Sequence, residues 1–241
     1  MEKLFIKLVG IMAIAIACSS CVKVGWMKGN GNLITLEKSV SSFEKIKGLG
    51  VDELRFYESD QYRVIVTVDS NLEDYVDVYT KNNVLYIGIS NKGVHNSCMF
   101  TKYLVDVYCP VLTGVTISGS GSFKGVDEII ASSFEATISG SGNIEGKAVI
   151  DNFTAKISGS GKISFAGTCS DANISIFGSG KFSGNEFDMK NAAVDISGSG
   201  KANICVSDYL NAKITGSGEI IYSGQPKIES KISGSGKLKK R

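Results

Sequence analysis

Lys156-Ile157-Ser158-Gly159-Ser160-Gly161-Lys162-Ile163 is the stretch on which the reading of this chain turns. Ile-Ser-Gly-Ser-Gly, or a near copy, begins at Ile117, Ile138, Ile157, Ile176, Ile196, Ile214 and Ile232, in steps of 21, 19, 19, 20, 18 and 18 residues. Two copies differ by one residue, with Phe177 and Thr215 in place of the first serine. Self-similarity at a short fixed period marks a repeat architecture, so it governs every other assignment.

Outward from the isoleucine the pattern alternates. Two places before it stand Ala136, Ala155, Ile174, Val194, Ala212 and Ser230, and four before it Phe134, Phe153, Ala172, Ala192, Leu210 and Ile228. Six after it come Phe123, Ile144, Ile163, Phe182, Ala202, Ile220 and Leu238. The places between are polar, as at Thr137, Lys156, Ser175, Asp195, Lys213 and Lys231. A period of two means strands with one buried face, whereas a helix would expose half of this apolar set.

Each unit is too short to hold a crossover helix of a dozen or more residues. Antiparallel hairpins would reverse alternate copies, so identical motifs would not stack. A coil that returns to its start after each repeat meets both conditions, with motifs about 4.8 Å apart in a parallel ladder. The chain is therefore read as all-β: a right-handed parallel β-helix (solenoid) with coils of about 18–21 residues. Its hand follows from the preference of parallel connections. By the alternation, Gly119, Gly140, Gly159, Gly178, Gly198, Gly216 and Gly234 point inward, and the glycines two places on take the positive φ of the turns. The serines between them, Ser120 to Ser235, face out as a ladder.

Before the repeats, Ile46-Lys47-Gly48-Leu49-Gly50 echoes the motif and follows Ser41-Ser42-Phe43-Glu44, so it reads as a degenerate first rung. Alternating runs follow at Tyr62–Asp69, Tyr75–Thr80, Val84–Ser90 and Tyr103–Cys109, with Lys81-Asn82-Asn83 as a hairpin turn. Antiparallel hairpins over one end of a solenoid protect it from edge pairing. At the other end Lys237, Lys239, Lys240 and Arg241 form a charged stop.

The first twenty residues read as an address. Lys3 and Lys7 precede the apolar run Leu8–Ala17, too short for the ~20 residues of a membrane span but suited to a secretory signal. Cys21 after Ser20 is the expected lipidation site, with Cys18 after Ala17 as the alternative, because the processing peptidase needs a small residue before the cysteine. The expected organisation is a lipoprotein signal peptide at 1–20, a lipid-anchored tether at 21–32, a capping and first-coil region at 33–116, and the repeat solenoid at 117–241. Loss of residues 1–20 leaves 24 basic and 23 acidic residues, so no strong field points to nucleic acid.

Several motifs imitate chemistry. Gly-Ser-Gly-Lys ends at Lys162, Lys181, Lys201 and Lys237, but lacks both the following Ser or Thr and the upstream glycine of a phosphate-binding loop, so no nucleotide is expected. No aspartate recurs in register after the glycines, which removes calcium repeats. His95 is the only histidine, so no His-His metal site or relay is available, and no cofactor is expected. Acidic residues from Glu145 to Glu229 fall at scattered phases, without the convergent carboxylates of a glycosidase. Lys162, Lys181, Lys201 and Lys237 share one outward phase, interrupted by Glu219, and are the candidate surface for an anionic glycan or lipopolysaccharide phosphates; outward lysines also keep sheets from aggregating. Seven of nine tyrosines sit in the N-terminal part, as stacking platforms for sugars or as strand packing. Cys98 and Cys109 are a candidate disulfide, while Cys169 and Cys205, two coils apart, are expected to be unpaired and buried.

These residues resemble a known family, the auto-transporter adhesin "head GIN domain" lipoproteins of Bacteroidetes. The likeness runs through the signal ending at Cys21, Gly29-Asn30-Gly31-Asn32, Val40–Ile46, Asp69-Ser70-Asn71-Leu72, Val105-x-Val107-x-x-Pro110-x-Leu112 and the serial Ser-Gly-Ser-Gly rungs. Gly48–Glu53 departs from the family's Ser-Gly-Gly-like stretch. The resemblance implies a parallel β-helix and adhesion, with no catalytic residues to carry over. The expected function is a non-catalytic, membrane-anchored cell-envelope lipoprotein presenting a surface for glycan, cell wall or protein. The alternative is a polysaccharide-active lyase or glycosidase. No acidic residue lies between Cys21 and Glu37, which favours the periplasmic face over the cell surface.

Overall fold

The computed structural model describes residues 26–90 and 97–241. The signal peptide, Cys18, Cys21 and His95 lie outside them. The N-terminal part holds β1 (Trp26–Lys28), β2 (Leu33–Lys38), β3 (Lys45–Leu49), β4 (Glu53–Glu58), β5 (Arg63–Asp69), a 3-10 turn (Ser70–Tyr75), β6 (Val76–Lys81), β7 (Val84–Ile89), β8 (Ser97–Met99) and β9 (Leu104–Cys109). The repeats form β10 (Gly114–Gly119), β11 (Ser122–Gly125), β12 (Ile129–Gly140), β13 (Asn143–Gly159), β14 (Lys162–Gly178) and β15 (Lys181–Gly198). They continue through β16 (Lys201–Gly216), β17 (Glu219–Ser223), β18 (Lys227–Gly234) and β19 (Lys237–Lys240).

Repeat strands pair only in parallel, from β10 on β12 through β15 on β16, then β16 on both β17 and β18, and β17 on β19. Ile117, Ile138, Ile157, Ile176, Ile196, Ile214 and Ile232 superpose as one column. The fold is an all-β solenoid of about seven turns. Small residues Ala136 and Ala155 share the interior with rings: Phe134 and Phe153 stack 6.4 Å apart, and Phe165 and Phe187 meet Phe153 edge-on at 5.0 and 5.2 Å. Each ring buried this way stabilises the coil by roughly 1.5–3 kcal/mol.

The two glycine columns exchange the roles expected of them. The first glycine of each motif bends the chain, with φ from +97° at Gly119 to +128° at Gly140, and faces solvent at least in part. The second is buried at Gly121, Gly142, Gly161, Gly180, Gly200 and Gly218 and takes no positive φ. A Cβ on Gly180 would lie 2.4 Å from Ile157 Cγ2 of the coil below, so the isoleucine methyl fills the space the glycine leaves. The serine ladder is carried by backbone: Ser160 N–H donates to Gly140 O and Ser179 N–H to Gly159 O, each at 2.9 Å.

In the N-terminal part, chain order and spatial order differ. One face stacks β7, β3 and β10 in parallel, and another stacks β9, β4 and β11. Residues 45–58 do form a coil, but two residues out of the expected register: Gly48 lies beside Ile117. Leu54 occupies the space an isoleucine would need, and Gly50 at φ +69° makes the bend. Antiparallel β6 covers β7, while β5 and then β2 cover β9. Asn82 and Asn83, at φ 51° and 62°, form the expected turn between β6 and β7, in the geometry that matches strand twist.

The stretch read as a tether is ordered from Trp26 onward. β1 pairs in parallel with β8, and Gly29–Asn32 clasp the segment Asp69–Asn71. Asp69 is fully buried and accepts hydrogen bonds from Gly31 N–H at 2.8 Å, Thr101 N–H at 2.8 Å and the Thr101 hydroxyl at 2.5 Å. Burial alone would raise its pKa, but these bonds, with one from Lys102 N–H, hold it below the usual value. Gly29 must be glycine because the carboxylate occupies the place of a Cβ.

Candidate functional surface

The lysine column is real in register but divided in charge. Lys162, Lys181, Lys201, Glu219 and Lys237 are successive neighbours. Glu219 binds Lys201 at 2.8 Å and Lys239 at 2.6 Å, and these two bonds hold its pKa down to about 2. Lys162 and Lys181 are exposed and form no ion pair among the described residues. Lys237 is likewise exposed and without an ion pair among the described residues, but Glu219 separates it from the others, so Lys162 and Lys181 remain as the one adjacent free pair of the stripe.

The face carrying the motif offers more. Its outward residues on β14 are Asn173, Ser175 and Phe177, and on β15 Ala193, Asp195 and Ser197. Phe177 stands between Ser158 and Ser197 with 55% of its surface exposed, the one aromatic in that column. Beside it the short Ser175 and Ala193 leave a depression of about 230 Å³, bordered by Asn173, Asn211 and the Asp195–Lys213 ion pair of 2.9 Å. The sequence marked Phe177 as a departure from the motif; its exposure supplies what the motif did not.

Besides an acidic depression of about 530 Å³ at Glu58, Asp60, Asp127 and Glu128, two further grooves follow other faces. One, of about 540 Å³, is lined by Lys124, Glu145, Lys147, Ser164, Ser183 and Glu186, with the Ser164 hydroxyl buried and without a partner. Glu145 and Glu186 are two layers apart, about 10 Å along the stack. The other, about 520 Å³, is largely apolar, with Val149, Ile150, Cys169, Met189 and Val206 along it. No three acidic, histidine or cysteine side chains gather as a metal site among the described residues.

Four of the seven N-terminal tyrosines pair with each other, while Tyr62 meets Phe43 and Tyr103 meets Phe100. Tyr57 stacks on Tyr108 at 5.0 Å and Tyr79 on Tyr86 at 5.1 Å, while Arg55 holds Asp106 through two hydrogen bonds of 2.5 and 2.7 Å. Tyr103 is buried and donates to Gly88 O at 2.7 Å. The described cysteines are all free. The Cys98–Cys109 disulfide is not formed: Cys109 is in the core, whereas Cys98 is on the small β1–β8 sheet. Cys169 is buried as expected, but Cys205 is only half-buried, because it stands between the buried Ile204 and Val206 and so takes an outward place on β16, beside the outward Asp188. Burial pushes the Cys109 thiol up to about 12 and that of Cys169 to about 11.

Residues 42–226 match the family described as "Putative auto-transporter adhesin, head GIN domain". The chain belongs to this family. This head GIN domain is similar to a solved "Putative lipid binding protein" from Parabacteroides distasonis, at 27% identity and TM-score 0.77, over 90% of this chain and 99% of that one. It is also similar to a putative adhesin from Parabacteroides merdae, at 26% identity and TM-score 0.73, over 90% and 99% of the two chains. A putative adhesin from Bacteroides fragilis shares the fold, with 20% identity, TM-score 0.83 and coverage of 89% and 100%. Nine-tenths of this chain thus accounts for nearly all of each solved relative, so that portion stands as a folded unit. No functionally curated protein matches it. Family membership supports an adhesion-like, non-catalytic role at the cell envelope. No described helix is long and apolar enough to cross a membrane.

Proposed function

We propose that this head GIN domain is a glycan-binding envelope lipoprotein, anchored through a lipid on Cys21 (or Cys18), that presents the Phe177 face to polysaccharide. The exposed Phe177 ring beside a depression bordered by amides, a hydroxyl and a carboxylate carries the reading. Sugar rings offer an apolar C–H face to an aromatic ring and a rim of hydroxyls to such polar groups. Along a strand, Phe177 and Ser175 are about 7 Å apart, the scale of a sugar unit. Covering half of such a ring is worth about 1.4 kcal/mol, or tenfold in affinity.

Phe177→Ser restores the repeat motif, so it leaves the fold intact while removing the ring. A polysaccharide array, followed by calorimetry on each hit with residues 26–241, should show binding that falls about tenfold in Phe177→Ser. Equal binding by both proteins would refute the assignment. For the anchor, wild-type chain should take up a radiolabelled fatty acid and Cys21→Ala should not.

A second reading, a polysaccharide-active lyase or glycosidase, rests on the groove containing Glu145 and Glu186. It requires product release from a polysaccharide panel that disappears in Glu145→Gln. No release across the panel would end it.

A further inference from the structure

The solenoid is closed at one end and open at the other. Antiparallel strands are laid over the N-terminal coil, with β2 and β6 as their outer edge, whereas at the other end the coil's own strands β18 and β19 are the edge and each pair on one side only among the described residues. Every residue of β18 is exposed, including the core-facing Ile228 at 36% and Ile232 at 42%. These sit directly above Leu210 and Ile214, so among the described residues they are the last layer of the interior, with nothing above them. A bare parallel edge of this kind is a template for another strand.

Its sequence names the strand that fits. Ile228-Glu229-Ser230-Lys231-Ile232 is complementary to itself when reversed. Antiparallel pairing centred on Ser230 places Ile228 opposite Ile232, Glu229 opposite Lys231, and Ser230 opposite its own copy. Opposed residues of an antiparallel pair share a face. The isoleucines of both chains would therefore close both interiors, while two Glu–Lys pairs form outside.

We propose that the open end is a dimer interface, in which β18 pairs antiparallel with β18 of a second copy about a two-fold axis through Ser230. The contact is isologous, with the same strand of each copy used once, so it closes at two copies instead of growing into a filament. The axis lays β19 over the partner's segment 224–226, not over its β19. Lys237, Lys239 and Lys240 thus do not meet their own copies. Lys239 is also already held by Glu219 at 2.6 Å.

The test uses sedimentation velocity and light scattering of residues 26–241 at micromolar concentration. Wild type should be a dimer. Lys231→Glu sets Glu229 against a second glutamate twice over and should weaken the dimer about tenfold or more. Within one chain, position 231 lies beside Lys213, so this variant gains an attractive neighbour and stays folded. Glu229→Lys combined with Lys231→Glu reverses both partners and should restore the dimer. A monomeric wild type would overturn the proposal. So would a dimer indifferent to Lys231→Glu, or a double variant no tighter than the single one.

Discussion

Substituting one glycine from each column in the same coil tests how the motif bends. At Gly178 the backbone has φ +112°, and an added Cβ would lie 2.7 Å from the Gly159 carbonyl oxygen. Neither the angle nor a ladder carbonyl yields easily, so strain of roughly 1–3 kcal/mol adds to a backbone shift of similar size. Gly178→Ala should cost about 3–5 kcal/mol. At Gly180 no positive φ is involved, and the closest atom is a side-chain methyl, Ile157 Cγ2 at 2.4 Å, with the Gly161 carbonyl oxygen at 3.0 Å. Overpacking there costs roughly 1–3 kcal/mol, offset in part by about 0.4–1 kcal/mol from a stiffer unfolded chain. Gly180→Ala should therefore cost about 1–2 kcal/mol net. Leucine carries no methyl on its β-carbon, so Ile157→Leu should relieve Gly180→Ala by about 1 kcal/mol in a double-mutant cycle but do nothing for Gly178→Ala. Urea unfolding of residues 26–241 supplies the free energies of the three single and two double variants. Equal costs at the two glycines within about 0.5 kcal/mol, or an additive cycle, would refute the assignment of bend and contact.

Asp69 gives a pH-dependent expectation. Its folded pKa is depressed, so the stabilisation is present above the unfolded value near ~3.9 and is lost as pH falls through the lower folded one. Asp69→Asn should flatten the stability profile in that acid window, and Asp69→Ala should cost about 2–4 kcal/mol at neutral pH by orphaning donors on Gly31 and Thr101. Parallel acid limbs for wild type and Asp69→Asn would contradict this. Thiol titration of native residues 26–241 should find Cys98 and Cys205 reactive, with Cys109 and Cys169 reached only after unfolding. Four fast thiols, or two missing ones, would show that the packing is wrong.

Period-two alternation is a direct code for inside and outside, so the isoleucine column, the alanine and phenylalanine positions and the lysine phase were legible before any coordinates. Alternation is silent where the chain bends. It assigned Gly159 to the interior, but a residue at φ +120° turns the backbone instead of pointing anywhere, and nothing local says which of two adjacent glycines does so. Parallel neighbours are equally hidden when they are far apart or out of order. That β7 lies beneath β3, although it follows it by some forty residues, depends on which apolar strips meet rather than on any repeat. Cys205 is a different case, since counting by twos from Ala202 already places it outward, between the buried Ile204 and Val206, whereas the count from Ile163 places Cys169 inward. Gly29–Asn32 and Asp69–Asn71 were visible only as family signatures, because a contact between distant loops leaves no periodicity. Phe177 was plain as an exception, yet its significance needed the depression beside it.

The separation of inward from outward columns explains why exceptions are informative. In a solenoid, stability is a sum over nearest-neighbour layers, and an outward side chain adds little to it. Phe177 leaves more than half of its surface in water, so folding gives no reason for a ring where neighbouring coils have serine. The same separation ties the two proposals together. The axis through Ser230 runs perpendicular to the face that also carries Phe177, so both rings of the dimer look the same way. They are seven layers apart, with a lateral offset of about three residues on each side, a span of about 40 Å. Two weak sites on one side of a rigid body engage a repeating polymer far better than either does alone. Lys231→Glu should consequently weaken retention on immobilised polysaccharide much more than binding of a short oligosaccharide in solution. Equal effects on both would mean that the sites act singly, and that the open end serves stacking alone.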